Sequence, residues 1–356
     1  MSITKNFWSK KKVLITGHNG FKGSWLCLML FHLGARVYGY SLKETKENFL
    51  FSKAKIKYLI EQNLVGDIRD YEKLNSYIKK IKPQIIFHLA SQALVIRSYK
   101  EPFYTFDVNF RGTLNLLNIL KKIKFVKSCV IVTSDKVYDI NNKSKNSIFT
   151  EEDSLGGVDP YSASKACKEI LANSYNISFF RNLSCNISTA RAGNVLGGGD
   201  RSGYRIVPDF FRALKKKKKL FIRFPNSIRP WQYVLDSLMG YLLLAEKNYY
   251  NKNIKFNTFN FGPNKNEFKN VKFIINFLKK KFDVKVRILK EKNYKETNIL
   301  KISNFKSRKY LGWRPLLNLK ETLNSLVFWE KNLKKNNIQS LSLLQVKKYF
   351  EIYRKK

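Results

Sequence analysis

Short apolar runs alternate with segments of helical apolar spacing along the first half of the chain. Each apolar run is closed by glycine or polar residues and is too short for a helix, which predicts a buried strand. The predicted strands span 11–17, 35–42, 63–70, 84–91, 128–135 and 185–193. The predicted helices between them span 20–33, 70–80, 104–122 and 162–180. This alternation favours a doubly wound α/β fold, with a parallel sheet, right-handed crossovers and helices on both faces.

The alternation weakens after about residue 193, where glycine, proline and aromatic residues become frequent. Further helices are predicted at 234–247, 269–281 and 319–334. We therefore expect two domains and a basic, helical extension. The predicted boundaries are 1–192 for the first domain, rejoined by about 232–263, then 193–231 with 264–330 for the smaller one, and 331–356 for the extension.

The composition indicates a folded protein with an unusual charge. The chain has 356 residues, 44% of them hydrophobic, and a net charge of +42. Such a charge could attract nucleic acid, an acidic membrane surface or a phosphorylated small molecule. The lysines are scattered, however, and the run at 215–219 is typical of a solvated helix end. Because no compact nucleic-acid motif is present, we interpret the charge as a compositional bias and do not expect nucleic-acid binding.

Targeting segments and metal motifs are not apparent in the sequence. No apolar run approaches the ~20 residues of a membrane-spanning helix, and the N-terminus lacks the apolar core of a secretory signal. The four cysteines form no Cys-x-x-Cys pair, and there are three histidines. These features predict a cytoplasmic protein with reduced thiols and without a metal site.

Three glycines, Gly17, Gly20 and Gly23, lie between the first predicted strand and the first helix. Glycines at this point allow a tight turn and a close approach of the backbone to a pyrophosphate at the helix N-terminus. Their place after the first strand favours a Rossmann-type dinucleotide site over a simple turn. His18, inside the loop, is expected to pack against the cofactor.

The end of the second predicted strand lacks the acid that usually holds the adenosine ribose of NAD. The sequence there is VYGYSLKE, with no acid before Glu44. Asp67, after the third strand, is expected to contact the adenine instead. Lys43 could favour a 2′-phosphate, so NAD is expected while NADP stays open.

Tyr161 and Lys165 are four residues apart at the start of a predicted helix, so their side chains face the same way. A nearby ammonium lowers the pKa of a tyrosine, which can then accept a proton from a substrate hydroxyl while hydride leaves the same carbon. Ser134, at the end of the preceding strand, can hydrogen-bond that hydroxyl, and Asn109 can brace the site. The alternative is an exposed helical pair without a catalytic role.

These motifs resemble the extended short-chain dehydrogenase/reductase family. Within it, six segments are similar to bacterial CDP-glucose 4,6-dehydratases: GHNGFKGSWL, HLASQALVIRSY, VTSDKVYD, LGGVDPYSASKACKE, ARAGNVLGGGD and IRPWQYVLDSLMGYLLLAE. The resemblance covers about residues 11–330. It implies a Rossmann-type sheet with a smaller C-terminal substrate-binding domain, bound NAD and a nucleotide-sugar substrate. The predicted cofactor contacts are Gly17, His18, Gly20, Phe21, Gly23, Asp67, Ile68, Ala90, Asn109, Tyr161 and Lys165.

The resemblance also implies an internal oxidation and reduction of the sugar. Tyr161 deprotonates the C4 hydroxyl, and NAD accepts the C4 hydride. Lys136 then removes the C5 proton, while Asp135 protonates the departing C6 hydroxyl, which needs a raised carboxyl pKa. The hydride finally returns to C6. The alternative reading of Asp135 and Lys136 is an ion pair that orders a loop.

On the substrate side, the resemblance implies that Asn194 meets the diphosphate and that Arg229 clamps a phosphate. Arg97 is a further candidate near the sugar, and Glu296 is retained from a motif whose histidine is missing here. For Arg229 the alternative is a surface salt bridge. Residues 197–199 are predicted to form a mobile lid or a surface turn.

Other functions stay open at this point. They are another nucleotide-sugar dehydratase, a 4-epimerase, and a non-catalytic NAD- or RNA-binding module. An epimerase needs the tyrosine and lysine but not the Asp–Lys pair, whereas a binding module is expected to have lost the tyrosine and lysine. The family resemblance further implies a homodimer or homotetramer.

Overall fold

The computed structural model describes residues 5–141, 147–180, 183–250, 257–289, 297–333, 335 and 337–355. In this part of the chain, seven strands form the central sheet. They are β1 Lys12–Thr16, β2 Arg36–Ser41, β3 Gln62–Val65, β4 Ile85–His88, β5 Ser128–Val132, β6 Asn186–Ala192 and β11 Asn257–Phe261. All neighbours in this sheet are parallel, in the order β11-β6-β5-β4-β1-β2-β3. The predicted α/β sheet is confirmed.

Short strands lie outside this sheet. They are β7 Val195–Leu196, β8 Leu220–Ile222, β9 Ile228–Arg229, β10 Gln232–Tyr233, β12 Lys269–Asn270 and β13 Val286–Ile288. They pair two by two, as β7 with β10, β8 with β13 and β9 with β12.

The helices of the first half include those predicted and three short helices, before β1, after β2 and after β4, that were not predicted. They are α1 Lys5–Trp8, α2 Phe21–His32, α3 Phe49–Lys53, α4 Tyr71–Ile81, α5 Val95–Lys100, α6 Pro102–Phe106, α7 Gly112–Lys121 and α8 Pro160–Tyr175. A π-helical turn, Asp107–Arg111, joins α6 to α7, and another, Asn176–Phe180, extends α8.

The helices of the second half are α9 Ile206–Lys215, α10 Val234–Tyr250, α11 Val271–Lys279, α12 Phe305–Leu311, α13 Leu319–Asn332 and α14 Ile338–Lys355. None of the helices in the described chain is long and apolar enough to cross a lipid bilayer.

The strand order changes side at β1, because β2 and β3 are added on one side of it and β4 to β6 on the other. The loops that leave the carboxyl ends of β1 and β4 therefore run in opposite directions. Sheets of this kind bind ligands in the crevice between two such loops. Strands β4 and β5 are buried along their whole length, as expected for strands covered on both faces. The sheet therefore presents one edge for a ligand site.

Both faces of the sheet are covered by apolar helix surfaces. Trp25 of α2 and Leu238 of α10 belong to the core on one face, while Leu74 of α4 and Leu116 of α7 belong to the core on the other. A third cluster, which includes Phe210 of α9, joins β8, α11 and α13. The boundaries of the two predicted domains remain a prediction.

The C-terminal helix α14 is part of the core rather than a projecting segment. Val346 and Phe350 are buried in the same cluster as α2 and α10. The Tyr349 hydroxyl donates a hydrogen bond to Asp236 Oδ1 of α10 at 2.7 Å. The basic composition of this segment is confined to its outer side, where residues such as Lys347 and Lys348 are exposed.

Candidate active site

A cleft of about 640 Å³ opens at the carboxyl edge of the sheet. Many of the predicted site residues line it, namely Gly17, Gly20, Phe21, Gly23, Asp67, Ile68, Ala90, Arg97, Ser134, Asp135, Lys136, Tyr161, Lys165, Asn194 and Arg229. His18 and Asn109 lie behind its wall, fully buried. Glu296 lies outside the described residues. Most of the site residues predicted from the sequence therefore lie around a single cleft.

The glycine loop packs too closely for side chains at two positions. A Cβ on Gly17 would lie 2.7 Å from the Ala90 backbone nitrogen, and Gly17 has a φ of +75°. A Cβ on Gly23 would lie 2.3 Å from the Gly17 carbonyl oxygen. Gly20 precedes α2 without a side-chain cap for the first backbone N–H groups of the helix, and this helix start lines the cleft. This geometry fits the pyrophosphate of a dinucleotide.

His18 supports the loop from behind. Its Nε2 lies 2.7 Å from Asn63 Oδ1 on β3, and its Nδ1 lies 3.1 Å from Ser41 Oγ on β2. The ring also packs edge-on against Phe51. Burial lowers the pKa of His18 to about 4, so the ring is neutral. His18 therefore ties the loop to two strands, a long-range role that its position in the sequence did not reveal.

Asp67 and Arg97 line the cleft near the end of β3 and are both engaged by neighbours. Arg69 donates to both carboxyl oxygens of Asp67, with Nη2 2.7 Å from Oδ2, and this hydrogen bonding lowers the pKa of Asp67. Arg97 pairs with Glu101 at 2.9 Å and lies over the Tyr104 ring, 4.5 Å from its centroid.

The segment after β5 forms a short helical turn, Asp135–Val137, at the floor of the cleft. Ser134 caps this turn by accepting from the Lys136 backbone N–H, and its hydroxyl donates to Asp135 Oδ1 at 3.0 Å. Burial raises the pKa of Asp135, although Lys136 opposes the shift. Among the described residues, no group hydrogen-bonds Asp135 Oδ2, although this oxygen is buried. A carboxyl group in this state is suited to give a proton to a ligand.

Helix α8 presents Tyr161 and Lys165 to the same cleft. Pro160 and the Asp159 cap start the helix, with Asp159 Oδ1 accepting from the Ser162 N–H at 2.9 Å. Lys165 Nζ lies 5.6 Å from the centre of the Tyr161 ring and 2.5 Å from Ser91 Oγ. Both side chains are buried, so the alternative of an exposed helical pair is wrong.

Burial controls the protonation of this pair. It raises the pKa of Tyr161 to about 12, while hydrogen bonding with Ser134 opposes the rise. It also lowers the pKa of Lys165 well below its usual value, helped by the charges of Lys168 and Lys22. Positive charge added by an oxidised nicotinamide would favour the phenolate form of Tyr161.

Asn109 is the brace that the sequence suggested. It lies in the π-helical turn, where its Oδ1 accepts from Ser91 Oγ at 2.7 Å and from the Gln92 N–H at 2.8 Å. Its Nδ2 donates to Ser164 Oγ at 2.8 Å. Because Ser91 contacts Lys165, Asn109 orients the lysine indirectly.

Three cationic residues that line the cleft, Lys22, Arg205 and Arg223, were not predicted from the sequence. Lys22, between Phe21 and Gly23, reaches the Tyr241 hydroxyl at 3.1 Å, and burial lowers its pKa to about 8. Arg205 precedes α9 and lies 3.2 Å from Asp200 Oδ2. The sequence does show Lys22 between Gly20 and Gly23 at the predicted helix start, but the glycine motif predicts no charged residue there.

Part of the cleft wall comes from the segment 193–229, and its glycines lie beside the start of α2. A Cβ on Gly198 would lie 2.1 Å from the Trp329 ring, and Trp25 Nε1 donates to the Gly198 carbonyl at 3.0 Å. The glycines at 197–199 are therefore buried in a wall, not placed in a surface turn. Arg229 is only 2% exposed, so the surface salt bridge considered for it is wrong. Its Nη1 donates to the Ile228 carbonyl at 2.9 Å.

Comparison with known proteins identifies the family. The sequence profile of the GDP-mannose 4,6 dehydratase family matches residues 14–326. The chain belongs to this dehydratase family. A CDP-glucose 4,6-dehydratase from Salmonella typhimurium is 41% identical over 337 residues, covering 92% of this chain and 93% of that protein. A dTDP-D-glucose 4,6-dehydratase from Dictyostelium discoideum is 30% identical, covering 67% and 56%.

Solved structures with the same fold include other members of this enzyme group. The UDP-glucose 4-epimerase of Thermotoga maritima, solved with UDP-glucose, superposes with a TM-score of 0.78 at 22% identity, covering 91% of this chain and all of that one. The dTDP-glucose 4,6-dehydratase of Bacillus anthracis, solved with NAD, has a TM-score of 0.76 at 23% identity, covering 91% and 98%. These likenesses confirm the Rossmann-type fold, and the dehydratase family lies in the extended short-chain dehydrogenase/reductase group that the motifs indicated.

The glycine loop provides a matched pair of variants. Gly23→Ala should lower the free energy of unfolding by about 1–3 kcal/mol, because its Cβ would press on the loop backbone. Gly20→Ala meets its nearest atom at 3.4 Å and should cost less than about 1 kcal/mol. Denaturant unfolding without cofactor measures both. Equal losses for the two variants would contradict the packing described here.

Lys22 predicts a pH-dependent effect on stability. Its pKa falls from 10.5 to about 8 on folding, so the unfolded chain binds more protons between these values. The penalty for burying the ammonium is therefore complete below about pH 8 and disappears toward pH 10.5. Lys22→Met should stabilise the cofactor-free protein by about 1–3 kcal/mol at neutral pH, and the gain should shrink as the pH rises.

Unfolding free energies measured across this range test the point, with the exposed Lys43→Met as the matched control. A difference between Lys22→Met and the wild type that stays constant with pH would show that the ammonium is not desolvated.

Proposed function

We propose that this protein is a cytoplasmic, NAD-dependent hydro-lyase that converts CDP-glucose to CDP-4-keto-6-deoxyglucose. The main support for the proposal is that two pairs of ionisable side chains line the same cleft. Tyr161 and Lys165 suit the oxidation of a hydroxyl, while Asp135 and Lys136 suit the loss of water. The identity of 41% to a CDP-glucose 4,6-dehydratase over almost the whole chain supports the same activity.

The glycine loop and the ends of β1, β3 and β4 would hold NAD. The pyrophosphate would meet the tightly packed glycine loop at the start of α2, and Ile68 and Asp67 would line the adenosine side of the cleft. When bound, NAD supplies an acceptor for the C4 hydride and later its donor to C6. The B. anthracis dehydratase, which has the same fold, was solved with NAD.

The first pair moves the proton of the C4 hydroxyl. Tyr161 accepts this proton as a general base, and Ser134, which hydrogen-bonds the tyrosine hydroxyl, orients the sugar oxygen. Lys165 is held beside the ring by Ser91 and stabilises the phenolate. The resulting C4 ketone acidifies the neighbouring C5–H bond.

The second pair removes water across C5 and C6. Lys136 accepts the C5 proton, for which its amine has to be neutral. Asp135 donates a proton to the C6 oxygen, which leaves as water. Burial keeps the Asp135 carboxyl protonated to a higher pH than in solution, and its buried Oδ2 has no described hydrogen-bond partner, so it is free to meet the substrate.

The nucleotide diphosphate would lie along the part of the cleft wall that the segment 193–229 provides. Asn194 and Arg229 line this part of the cleft and provide an amide and a guanidinium for the phosphates. Arg97 lies nearer to Tyr104 and Glu101, at the cleft edge. The choice of cytidine rests on the similarity to the Salmonella enzyme.

A 4-epimerase is the second candidate function, because the T. maritima epimerase has the same fold. An epimerase requires Tyr161 and Lys165 but gives no role to a buried acid beside a lysine. The raised pKa of Asp135 therefore favours the dehydratase.

We also propose that the protein forms a homodimer, or a homotetramer built from such dimers. Helices α6 and α8 pack side by side and expose large apolar side chains outward. Phe103 is 83% exposed and Ile170 is 58% exposed. A second copy of the same surface would cover them.

Sedimentation of the purified protein tests this assembly. The wild type should sediment as a dimer or tetramer, and Phe103→Asp with Ile170→Asp should give a monomer. A monomeric wild type, or a doubly substituted protein that keeps its assembly, would overturn the proposal.

The activity itself is tested by incubating the protein with CDP-, dTDP-, UDP- and GDP-glucose, with and without added NAD. A 4-keto-6-deoxy product is expected from CDP-glucose. Product from another nucleotide only would reassign the substrate, and C4 epimers without water loss would favour an epimerase. Salt-sensitive RNA binding without turnover of any sugar would favour a binding module.

Asp135→Asn tests the acid separately. Water loss should fall roughly 10²- to 10⁴-fold, because the amide cannot protonate the C6 oxygen. Reduced NAD, followed by its near-ultraviolet absorbance, should still form, since Tyr161 and Lys165 are intact. Water loss at the wild-type rate would show that Asp135 is not the acid.

A further inference from the structure

A buried ion pair lies behind the cleft and takes no part in the chemistry described above. Glu169 is on α8, one turn beyond Lys165 and two turns beyond Tyr161. It pairs with Arg191 of β6, Nε to Oε1 at 3.1 Å, and the two side chains are 1% and 4% exposed. Neither residue lines the cleft.

The Glu169 carboxylate joins three elements of the sheet and helix layer. Its Oε1 accepts from the Thr133 hydroxyl at the end of β5 as well as from Arg191. Its Oε2 accepts from Thr189 Oγ1 on β6 at 2.5 Å and from Arg191 Nη2 at 3.2 Å. The helix that carries Tyr161 is thus tied directly to Thr133, which lies between the end of β5 and Ser134.

Arg191 reaches the other end of the same catalytic turn. Its Nη1 donates to the Tyr138 hydroxyl at 3.0 Å, and that hydroxyl donates to Asn260 Oδ1 on β11 at 2.6 Å. The guanidinium also lies 4.9 Å from the centre of the Tyr138 ring. Residues 134–137 are therefore held at both ends. Glu169 holds one end through Thr133, and Arg191 holds the other through Tyr138.

We propose that Glu169 and Arg191 are positioning residues that fix Asp135 and Lys136 relative to Tyr161 and Lys165. The inference rests on the proposed function, in which the two pairs act in turn on adjacent carbons of one bound sugar. A buried ion pair adds little net stability because of its desolvation cost. A role in holding two catalytic pairs in register explains its presence, since a displacement of about 1 Å can cost 10²-fold in rate.

Thr133 offers a matched pair of variants that leaves the ion pair itself intact. Thr133→Val keeps the shape of the side chain and removes the hydrogen bond to Glu169. Thr133→Ser keeps the hydrogen bond and removes a methyl group from the buried site. Tyr138→Phe is a second test from the other end, because it keeps the ring over Arg191 and removes the hydroxyl that bonds Arg191 and Asn260.

The measurement is product formed per NAD-binding site, with the sites titrated by NAD itself and the NAD dissociation constant recorded. Misfolding lowers the number of sites, whereas misplacement lowers the rate at each site. Turnover per site should fall about tenfold or more in Thr133→Val and Tyr138→Phe, and less than about threefold in Thr133→Ser. The NAD dissociation constant should change less than about threefold in all of them. Thr133 lines the cleft, but its hydroxyl and that of Tyr138 are bonded to the buried ion pair behind it.

Equal turnover per site in Thr133→Val and Thr133→Ser would overturn the positioning role. So would a loss in Thr133→Val that appears only in the number of NAD-binding sites. If the wild type binds NAD but converts no nucleotide sugar, the proposed function fails instead, and the two failures are distinguishable.

Discussion

The site depends on the burial of its ionisable side chains, away from solvent, at the carboxyl ends of the parallel strands. Asp135, Tyr161 and Lys165 are buried together at one edge of the sheet. Burial raises the pKa of the carboxyl and phenol groups and lowers that of the amine, so each is moved toward its neutral form. In water near neutral pH the carboxyl would be anionic and the amine cationic, while the phenol would be neutral. Inside the cleft their protonation responds to the charge of whatever binds, which is what proton transfer to and from a sugar requires.

The rest of the fold maintains that environment. The helix layers cover both faces of the sheet, and α14 completes one of them through Tyr349 and Asp236. The wall at 197–199 is closed by buried glycines, of which Gly198 packs against Trp329. Behind the catalytic turn, the pair of Glu169 and Arg191 holds both of its ends. Core packing, the cleft wall and the polar network therefore act on the same few side chains.

The sequence predicted what depends on local spacing. Apolar runs and glycines located six strands of the sheet and the loop after β1, and the interval of four residues located Tyr161 and Lys165 on one helix face. Contacts between distant segments were not predictable in this way. Strand β11 has alternating polar and apolar residues, NTFNF, and no continuous apolar run, so its place beside β6 was not recognised. Lys22, the support given by His18, and the link from Glu169 to Thr133 likewise appear only when the chain is folded.

The central claim is that one cleft removes a hydride from C4 of the sugar and returns it to C6 of the same molecule. CDP-glucose carrying deuterium at C4 tests it most directly, with the position of the label in the product read by NMR and mass spectrometry. The account predicts a 4-keto-6-deoxy product with the deuterium at C6, transferred within single molecules when labelled and unlabelled substrates are mixed. Deuterium lost to the solvent, or retained at C4, would contradict it.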